Sequence, residues 1–262
     1  MAYLEFNYYS KALKKRTKVN VILPEVSKKA EGSGIGDTGE YKTLYLLHGL
    51  SSDNSVWMRY TSVERYAQKY NIAVIMPEVD RSWYTDTAYG INYFTFVAKE
   101  LPEVCRGYFK GMSGKREDNF IAGYSMGGYG ALKIALTYPE DYMGCASLSG
   151  ALDITRKNRP INIEEWRSIF GFDMKSADEL NGTKHDVYEL VRKNHKNGEK
   201  FPKMYLWCGT EDDKYILENN RTFHKLLEEL DIEHLYKDSE GNHTFKWWDI
   251  YIQEALEYLL GE

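Results

Sequence analysis

The chain has 262 residues, of which 43% are hydrophobic and 28% are charged, a composition that is typical of a globular protein. A chain of this length can bury enough apolar surface to fold without a disulfide or a structural metal ion. The formal net charge is −5, and this acidic balance argues against nucleic acid as a partner, because phosphate binding needs a concentrated basic surface.

Targeting signals and cysteines indicate the compartment. Residues 1–6 lack a basic region followed by an apolar run, so we predict no signal peptide, although a chain that had lost its leader would look the same. No uncharged apolar run approaches the length of about 18 residues that a membrane span needs. Cys105, Cys145 and Cys208 are far apart in apolar stretches, which predicts buried thiols rather than a zinc site. We therefore expect a cytoplasmic protein.

The amino-terminal region predicts two antiparallel strands, Leu4–Tyr9 and Lys18–Leu23, followed by a polar, glycine-rich stretch over residues 27–40. Residues 34–39 have the formal spacing G-x-G-x-x-G. This segment leads into a strand, whereas a phosphate-binding loop leads out of a strand into a helix. The pattern therefore predicts a hairpin loop rather than a nucleotide site.

After residue 40, short apolar runs alternate with segments that have apolar residues at three- and four-residue spacing. The apolar runs predict buried strands at Thr43–Leu47, Ile72–Met76, Asn119–Ala122, Gly144–Leu148 and Met204–Cys208, and a further strand is predicted at Glu233–Lys237. The spaced segments predict helices at Val63–Tyr70, Thr95–Tyr108, Tyr129–Tyr138, Tyr215–Leu230 and Phe245–Leu260. Alternating strands and helices indicate an α/β protein with a doubly wound, mostly parallel sheet, here in a single domain over residues 1–262.

Residues 152–200 interrupt this alternation. The stretch is polar and predicts only short helical pieces, at Glu164–Phe170 and His185–Asn194. We interpret it as a small helical insertion over the carboxyl edge of the sheet, where a lid or a pocket wall would lie.

Residues 123–127 read Gly-Tyr-Ser-Met-Gly, a G-x-S-x-G pattern. A predicted strand precedes it and a predicted helix follows it, which is the context that a serine nucleophile on a strained strand-to-helix turn requires. Gly123 and Gly127 would lie close to neighbouring backbone, where a Cβ would clash. The pattern therefore makes Ser125 the candidate nucleophile, rather than part of a glycine-rich turn.

A nucleophilic serine needs an oxyanion hole, usually two main-chain N–H groups. His48-Gly49-Leu50 follows the predicted strand Thr43–Leu47 and suits a sharp turn that directs an N–H into the pocket. We expect the donors to be Leu50 and the residue after the nucleophile, Met126. His48 lies at the strand end, which favours a structural role in holding this loop.

The serine also needs a histidine base, and in this type of fold the chain order is serine, acid, histidine. Of the histidines after Ser125, His243 lies in a turn between the predicted strand Glu233–Lys237 and the last helix, where a base is needed. Four others are expected to be structural or solvated, namely His185, His195, His224 and His234.

Three carboxylates follow the predicted strand Met204–Cys208 as candidates for the acid. Asp212 is the first choice, Asp213 the second and Glu211 the third, and spacing alone does not separate them. One of the two aspartates is also expected to cap the next helix.

The motifs resemble those of the esterase D group, which includes S-formylglutathione hydrolases, tributyrin-type esterases, and the acetylxylan and feruloyl esterases of carbohydrate esterase family 1. The resemblance rests on His48-Gly49-Leu50, Gly123-Tyr124-Ser125-Met126-Gly127-Gly128, Cys208-Gly209-Thr210-Glu211-Asp212 and Gly241-Asn242-His243. Trp83-Tyr84-Thr85-Asp86-Thr87 and Tyr89-Gly90 are most similar to small bacterial tributyrin-type esterases. The match runs from about residue 40 to 260, and the long, glycine-rich loop over 27–40 departs from the family pattern.

The resemblance implies an α/β-hydrolase fold and a triad of Ser125, Asp212 and His243, with Leu50 and Met126 as oxyanion donors. It favours Asp212 over Asp213. It implies two-step acyl transfer without a metal or an organic cofactor. It also favours self-association, which exposed aromatic residues would support.

The substrate is the open question. Short acyl esters come first, then acetylated or feruloylated plant oligosaccharides, then S-formylglutathione; related mycolyltransferases raise acyl transfer to a sugar as an alternative. Aromatic residues make up 15% of the chain, which fits either a large core or an aromatic-lined cleft. Candidates for pocket walls or core packing are Trp57, Trp83, Tyr84 and Tyr124. A non-catalytic binding protein is disfavoured because all three triad members are present, and a peptidase because no second domain selects peptides.

Overall fold

The computed structural model describes residues 1–25, 39–155 and 162–261 of the chain. Most of the predicted hairpin loop, including residues 34–38, lies outside these ranges, so the structure does not test that prediction.

The centre of the fold is one eight-stranded sheet with the order β1-β2-β4-β3-β5-β6-β7-β8. Its strands are Ala2–Ser10 (β1), Lys15–Leu23 (β2), Thr43–Leu47 (β3), Ala73–Pro77 (β4), Asn119–Tyr124 (β5), Gly144–Leu148 (β6), Lys203–Gly209 (β7) and His234–Ser239 (β8). β1 and β2 are antiparallel to each other, and β2 is antiparallel to β4. The other six strands, β3 to β8, are all parallel to one another. The predicted α/β class and the antiparallel amino-terminal strands are confirmed.

Nine α-helical segments surround the sheet in the described ranges. They are Val56–Tyr60 (α1), Val63–Tyr70 (α2), Tyr93–Thr95 (α3), Leu101–Tyr108 (α4), Met126–Thr137 (α5), Ile163–Phe170 (α6), Val187–Asn197 (α7), Lys214–Glu229 (α8) and Phe245–Leu260 (α9). A π-helical stretch, Phe96–Glu100, joins α3 to α4, and short 3₁₀ turns occur at Arg116–Asp118 and Ala177–Leu180.

Helices cover both faces of the sheet. Because successive residues of a strand point to opposite sides, each central strand contributes to two cores. In β3, Leu44 and Leu46 pack into the core formed with α1, α2 and α9. Tyr45 and Leu47 pack into the larger core formed with the remaining helices. Since β3 to β6 are buried on both faces, they read as nearly continuous apolar runs in the sequence.

Two predicted helices differ from the structure. The segment predicted as Thr95–Tyr108 contains the π-helical stretch, in which the Leu101 N–H bonds to the carbonyl of Phe96, five residues back. Pro102 has no N–H to continue a regular α-helix, which explains the irregular turn before it. The helix predicted from Tyr129 starts at Met126 instead, because the tertiary fold overrides the low helix propensity of the glycines at its start.

The insertion over 152–200 contains α6, a 3₁₀ turn and α7, close to the predicted short helices. Trp166 and Ile169 of α6 are buried in the larger core, so the insertion packs onto the body of the protein. The three cysteines are free, buried thiols, as predicted. Across the described ranges, no helix has both the length and the apolar character to cross a membrane.

Candidate active site

Ser125 lies on the turn between β5 and α5. Its backbone has φ 55° and ψ −120°, a conformation that is unfavourable for a residue with a side chain. Two hydrogen bonds hold the turn against the end of β6. The Ser125 N–H donates to the carbonyl of Leu148 at 3.0 Å, and the Ser125 carbonyl accepts from the N–H of Ala151 at 3.1 Å.

The glycines of this turn are required by close packing. A Cβ on Gly127 would lie 2.5 Å from the carbonyl oxygen of Leu47 and 2.7 Å from that of His48. A Cβ on Gly123 would lie 2.5 Å from the backbone of Gly127. The two glycines lie against neighbouring backbone, as predicted. The first turn of α5 contacts the end of β3 directly, so the two backbone segments that carry the expected oxyanion donors are neighbours.

His243 reaches Ser125 from the turn between β8 and α9. Its Nε2 lies 3.0 Å from the Oγ of Ser125, and its Nδ1 lies 3.0 and 3.1 Å from the two carboxylate oxygens of Asp212. The Asp212 side chain is fully buried, whereas that of His243 is 36% exposed. With the proton on Nδ1 donated to Asp212, Nε2 is free to accept the serine proton.

The loops after β7 and β8 bring Asp212 and His243 together. The Glu211 N–H donates to the carbonyl of Gly241 at 2.8 Å. A Cβ on Gly209 would overlap the same carbonyl, so only glycine permits this approach of the two loops. The contact sets the distance between the two side chains.

The three candidate acids have different surroundings. Glu211 is exposed, and Asp213 caps α8 by accepting from the Tyr215 N–H at 2.9 Å. Asp212 alone of the three points to His243, and its Oδ1 also accepts from the N–H of Asp213 at 2.7 Å. One aspartate thus caps the next helix, as predicted.

The structure does not bring the other candidate histidines to Ser125. His185, in the insertion, is buried against α5, and His195 is exposed on α7. His224 and His234 bond to each other, with 2.8 Å between Nδ1 and Nε2.

His48 is buried and holds the oxyanion loop, which we define as residues 48–50. Its Nε2 accepts from the N–H of Val79 at 3.1 Å, so a neutral ring carries its proton on Nδ1 and donates it to the carbonyl of Gly49 at 2.8 Å. Because a trans peptide is planar, fixing the Gly49 carbonyl directs the Leu50 N–H the opposite way. The predicted structural role of His48 is confirmed.

Among the described residues, neither of the two expected oxyanion donors has a hydrogen-bond partner for its main-chain N–H. Met126 is the first residue of α5, where an N–H has no partner within the helix. The Leu50 N–H makes no hydrogen bond to any residue in the described part of the chain. Both are therefore available to a ligand oxygen.

The aromatic pocket-wall candidates lie in the core rather than on a cleft surface. Trp57 and Trp83 are 1% exposed, Tyr84 is 0% exposed and Tyr124 is 3% exposed. Two contacts illustrate this burial. The indole N–H of Trp57 donates to the carbonyl of Leu47, and the Tyr124 ring packs so closely on Gly49 that a Cβ there would overlap it. Of the two roles open for these residues, the structure corresponds to core packing.

Trp248 was not singled out from the sequence, yet it supports the base. Its ring packs edge-on against His243, with centroids 4.9 Å apart, and its Nε1 donates to the Oγ of Ser149 at 3.2 Å. The signal in the sequence is an aromatic residue in the first turn of the helix that follows the candidate base.

A groove of about 650 Å³, lined by both polar and apolar side chains, opens beside Leu50. Its walls include Ser51, Asp53, Glu78 and Arg81. A larger cavity, about 800 Å³, lies at the opposite end of the sheet beside residues 198–203, far from Ser125 along the strands. No three His, Cys, Asp or Glu side chains within the described ranges are grouped so that they could hold a metal ion.

Comparison with known proteins agrees with this geometry. The Esterase family matches residues 10–259. The chain belongs to the Esterase family. An acetyl esterase from Caldicellulosiruptor saccharolyticus is 34% identical over 99% of this chain and 98% of its own. This member of the family is therefore a carboxylic ester hydrolase of the serine type.

Two solved structures from Staphylococcus aureus are also similar along their whole length. The fluorophosphonate-binding serine hydrolase FphF has a TM-score of 0.88 and 34% identity, and the alignment covers 100% of this chain and 99% of that one. The S-formylglutathione hydrolase FrmB has a TM-score of 0.84 and 34% identity, over 99% and 98% of the two chains. The esterase D resemblance and the α/β-hydrolase fold are confirmed.

Proposed function

We propose that this esterase hydrolyses short-chain carboxylic esters, with acetyl esters foremost, through an acyl-enzyme on Ser125. The observation that carries the proposal is the 3.0 Å distance between Ser125 Oγ and His243 Nε2, with Asp212 on the other ring nitrogen. A serine hydroxyl is a poor nucleophile until a base removes its proton.

In the first step, Ser125 Oγ attacks the ester carbonyl carbon while its proton moves to Nε2 of His243. Asp212 keeps the ring oriented and stabilises the imidazolium. The carbonyl oxygen becomes an oxyanion, which accepts hydrogen bonds from the N–H groups of Leu50 and Met126. The carbon–oxygen bond to the alcohol then breaks, and the alcohol leaves with the proton from Nε2.

In the second step, water replaces the alcohol. His243 removes a proton from the water as its oxygen attacks the acyl carbon, and the same two N–H groups bind the second oxyanion. Collapse of this intermediate breaks the bond to Ser125, whose oxygen recovers its proton from His243. The acid product leaves and the enzyme is restored.

The groove beside Leu50 supports a polar alcohol portion. Its lining combines serine hydroxyls and charged groups such as Glu78 and Arg81 with the apolar surfaces of Tyr89 and Ile169, so a hydroxylated alcohol such as an acetylated sugar would find both hydrogen-bonding partners and a ring to pack against. The similarity to an acetyl esterase over nearly the whole chain supports an acetyl group as the acyl portion.

The proposal is tested by hydrolysis of 4-nitrophenyl acetate. We expect Ser125→Ala and His243→Ala each to lower kcat by at least about 10⁴-fold, because the nucleophile and its base act as one unit. His195→Ala, which alters an exposed histidine on α7, is the matched control and should keep the wild-type rate. Equal rates for wild type and Ser125→Ala would contradict the assignment and favour a non-catalytic protein.

A second candidate activity is hydrolysis of S-formylglutathione, supported by the similarity to FrmB. The same residues would attack a thioester carbonyl and release a thiol. A panel of acetyl, butyryl and feruloyl esters with S-formylglutathione, compared by kcat/KM, ranks these substrates. Adding an alcohol acceptor to the panel measures acyl transfer, since a transferase would form a new ester instead of the free acid.

The proposed setting of the enzyme is the cytoplasm, where it acts as a self-associating protein on small esters. Exposed aromatic rings support self-association, and they include Tyr9, Tyr60, Tyr108 and Phe172. Sedimentation velocity measures the assembly directly, and a monomer at micromolar concentration would contradict this part of the proposal.

A further inference from the structure

Lys133 is a buried lysine that the proposed reaction does not use. It lies in the middle of α5 and is 2% exposed, although lysine is among the residues that proteins bury least. Burial lowers its pKa well below the ordinary value. None of the carboxylates in the described ranges forms an ion pair with it. The charge of Asp86 opposes this lowering of the pKa but forms no ion pair with Lys133, so the cost of burying the lysine needs another explanation.

The side-chain nitrogen of Lys133 contacts three groups. Its Nζ lies 3.0 Å from the carbonyl oxygen of Tyr84, 2.7 Å from Oγ1 of Thr85 and 3.2 Å from Nδ1 of His185. Two of these partners belong to the loop after β4, and the third belongs to the insertion. Lys133 therefore joins the loop after β4 to α5 and to the insertion.

The part of the loop that Lys133 binds has a strained backbone. Trp83 and Tyr84 are consecutive and have φ values of 52° and 47°, a region that large side chains rarely adopt. Such a conformation persists only where the surroundings enforce it. Besides Lys133, Gly130 contributes, because a Cβ there would overlap the Tyr84 ring.

The strained conformation directs the Tyr84 hydroxyl beneath the oxyanion loop. That hydroxyl donates to the carbonyl oxygen of His48 at 2.9 Å. His48 in turn bonds to the Gly49 carbonyl, and through the planar peptide it sets the direction of the Leu50 N–H. A continuous set of contacts therefore runs from Lys133 through Tyr84 and His48 to the expected oxyanion donor.

We propose that Lys133 and Tyr84 are positioning residues, which hold residues 48–50 so that the Leu50 N–H meets the oxyanion. The inference rests on the proposed function, because it assumes Leu50 as a donor. Tyr84 thus contributes from beneath the active site and not as a wall of the substrate pocket.

Tyr84→Phe tests the proposal with the smallest change, since the ring stays and only the hydroxyl bond to His48 is lost. Removing an oxyanion donor entirely costs about 10²–10³ in kcat, so misdirecting one should cost about tenfold. We expect kcat for 4-nitrophenyl acetate to fall about tenfold while KM stays within about twofold. The affinity for methylboronic acid, whose serine adduct mimics the tetrahedral intermediate, should fall by a similar factor.

Tyr129→Phe is the matched control. Tyr129 is a fully buried tyrosine of α5 whose hydroxyl donates to the carbonyl of His185 at 2.8 Å, on the side of the insertion. The Tyr129→Phe variant, like Tyr84→Phe, loses one buried hydrogen bond from a hydroxyl to a carbonyl, so the two variants should lower Tm by similar amounts. We expect its kcat and boronate affinity to stay within about twofold of wild type. Equal kcat and boronate affinity in the two variants would overturn the proposal.

Lys133→Met tests whether Lys133 acts through Tyr84. Methionine keeps the unbranched shape but binds none of the three partners, so kcat should again fall without a matching rise in KM. In a Tyr84→Phe background the same change should lower kcat by less than about twofold, because the link to His48 is already absent. A full additional fall would overturn the proposed route.

The outcomes separate this inference from the proposed function. If Ser125→Ala is as active as wild type, the proposed function fails, and Leu50 has no oxyanion to bind. If Ser125→Ala is inactive while Tyr84→Phe matches wild type in kcat and boronate affinity, only the positioning inference fails.

Discussion

The two ends of the parallel strands differ in which residues adopt a left-handed backbone. At the amino end they are Asn71 before β4 and Asp231 before β8, short polar residues that commonly take this conformation where helices end. At the carboxyl end, Asp80 adopts it after β4, but so do residues that rarely adopt it, namely Trp83, Tyr84, Ser125 and Ser149.

Hydrogen bonds account for the strained residues at the carboxyl end. The Ser125 N–H bonds to Leu148 on the neighbouring strand, and the Ser149 N–H bonds to the Trp207 carbonyl at 2.7 Å. The Tyr84 carbonyl is bound by Lys133. The fold therefore stores backbone strain at the edge that carries the candidate catalytic groups. Substitutions there should be far more costly than equivalent ones at the amino end.

The largest effect should come from Asp212→Asn. The amide can no longer fix the proton on Nδ1 of His243, so the base is held in the wrong tautomer, and we expect kcat to fall by about 10⁴-fold. Steady-state hydrolysis of 4-nitrophenyl acetate measures the loss, and circular dichroism should show an unchanged fold.

The adjacent variant Asp213→Asn controls for changes at this edge of the sheet in general. Asparagine caps a helix about as well as aspartate, so α8 and the activity should both be retained. If Asp213→Asn lost as much activity as Asp212→Asn, catalysis would depend on the conformation of the whole loop and not on the carboxylate that faces His243.

Gly127→Ala should have the next largest effect. The new Cβ would press on the carbonyls of Leu47 and His48, which belong to backbone that cannot easily move. We expect a loss of roughly 2–3 kcal/mol in the free energy of unfolding. Displacement of the Met126 N–H should lower kcat about a hundredfold. Urea denaturation and steady-state kinetics measure the two effects.

Gly107→Ala, in α4 near the amino end of the strands, is the matched substitution. A Cβ there would meet no atom within 4 Å. Because alanine favours a helix over glycine, we expect it to stabilise the protein by up to about 1 kcal/mol without changing kcat. Similar losses in the two variants would refute the difference between the two ends of the sheet.

The sequence predicted the sheet and the candidate catalytic residues because both depend on local patterns. Buried parallel strands are short apolar runs, and β3 and β6 have the predicted bounds. The spacing of residues 123–127 required the turn at Ser125. These features are encoded by neighbours along the chain.

What the sequence left open depends on contacts between distant segments. The choice between Asp212 and Asp213 needed the position of His243, 31 residues away. Tyr84 could have faced a pocket or the core, and its complete burial and its bond to His48 distinguish these roles. A signal for Lys133 was present, since it is the only charged residue in the sequence of α5. Its partners, however, could not be read from the helix alone.

The free energy of unfolding should decrease at acid pH because His185 is buried. Burial, and then the charge of Lys133, lowers the pKa of His185 to about 2, below the unfolded value of about 6.5. Between these values the unfolded chain binds a proton that the folded protein does not, so stability rises with pH and is lost on acidification. The loss should be about 1.4 kcal/mol per pH unit below 6.5.

His185→Asn should flatten this dependence, because asparagine keeps a polar partner for Lys133 but does not titrate. Urea denaturation at pH 6.5 and 4.5 should show a fall that is smaller by roughly 2–3 kcal/mol than in wild type. His195→Asn, at an exposed position of α7, should keep the wild-type slope. An unchanged slope in His185→Asn would assign the acid sensitivity to other groups.

The smallest effects are expected when a strained residue is replaced by glycine, and the change in stability should differ in sign between the two ends of the sheet. Asp231→Gly relieves a left-handed backbone at the amino end, and we expect stability to rise by up to about 1 kcal/mol with no change in kcat.

Ser149→Gly relieves the same kind of strain at the carboxyl end, but it removes the acceptor of the Trp248 indole N–H. A buried donor without a partner costs about 1–3 kcal/mol, which should outweigh the gain, and the loss of support for His243 should lower kcat a few-fold. Thermal melts and steady-state kinetics on both variants check the two signs. If both substitutions stabilised the protein, strain at the carboxyl end would be incidental; opposite signs would indicate that the contacts of the active site maintain it.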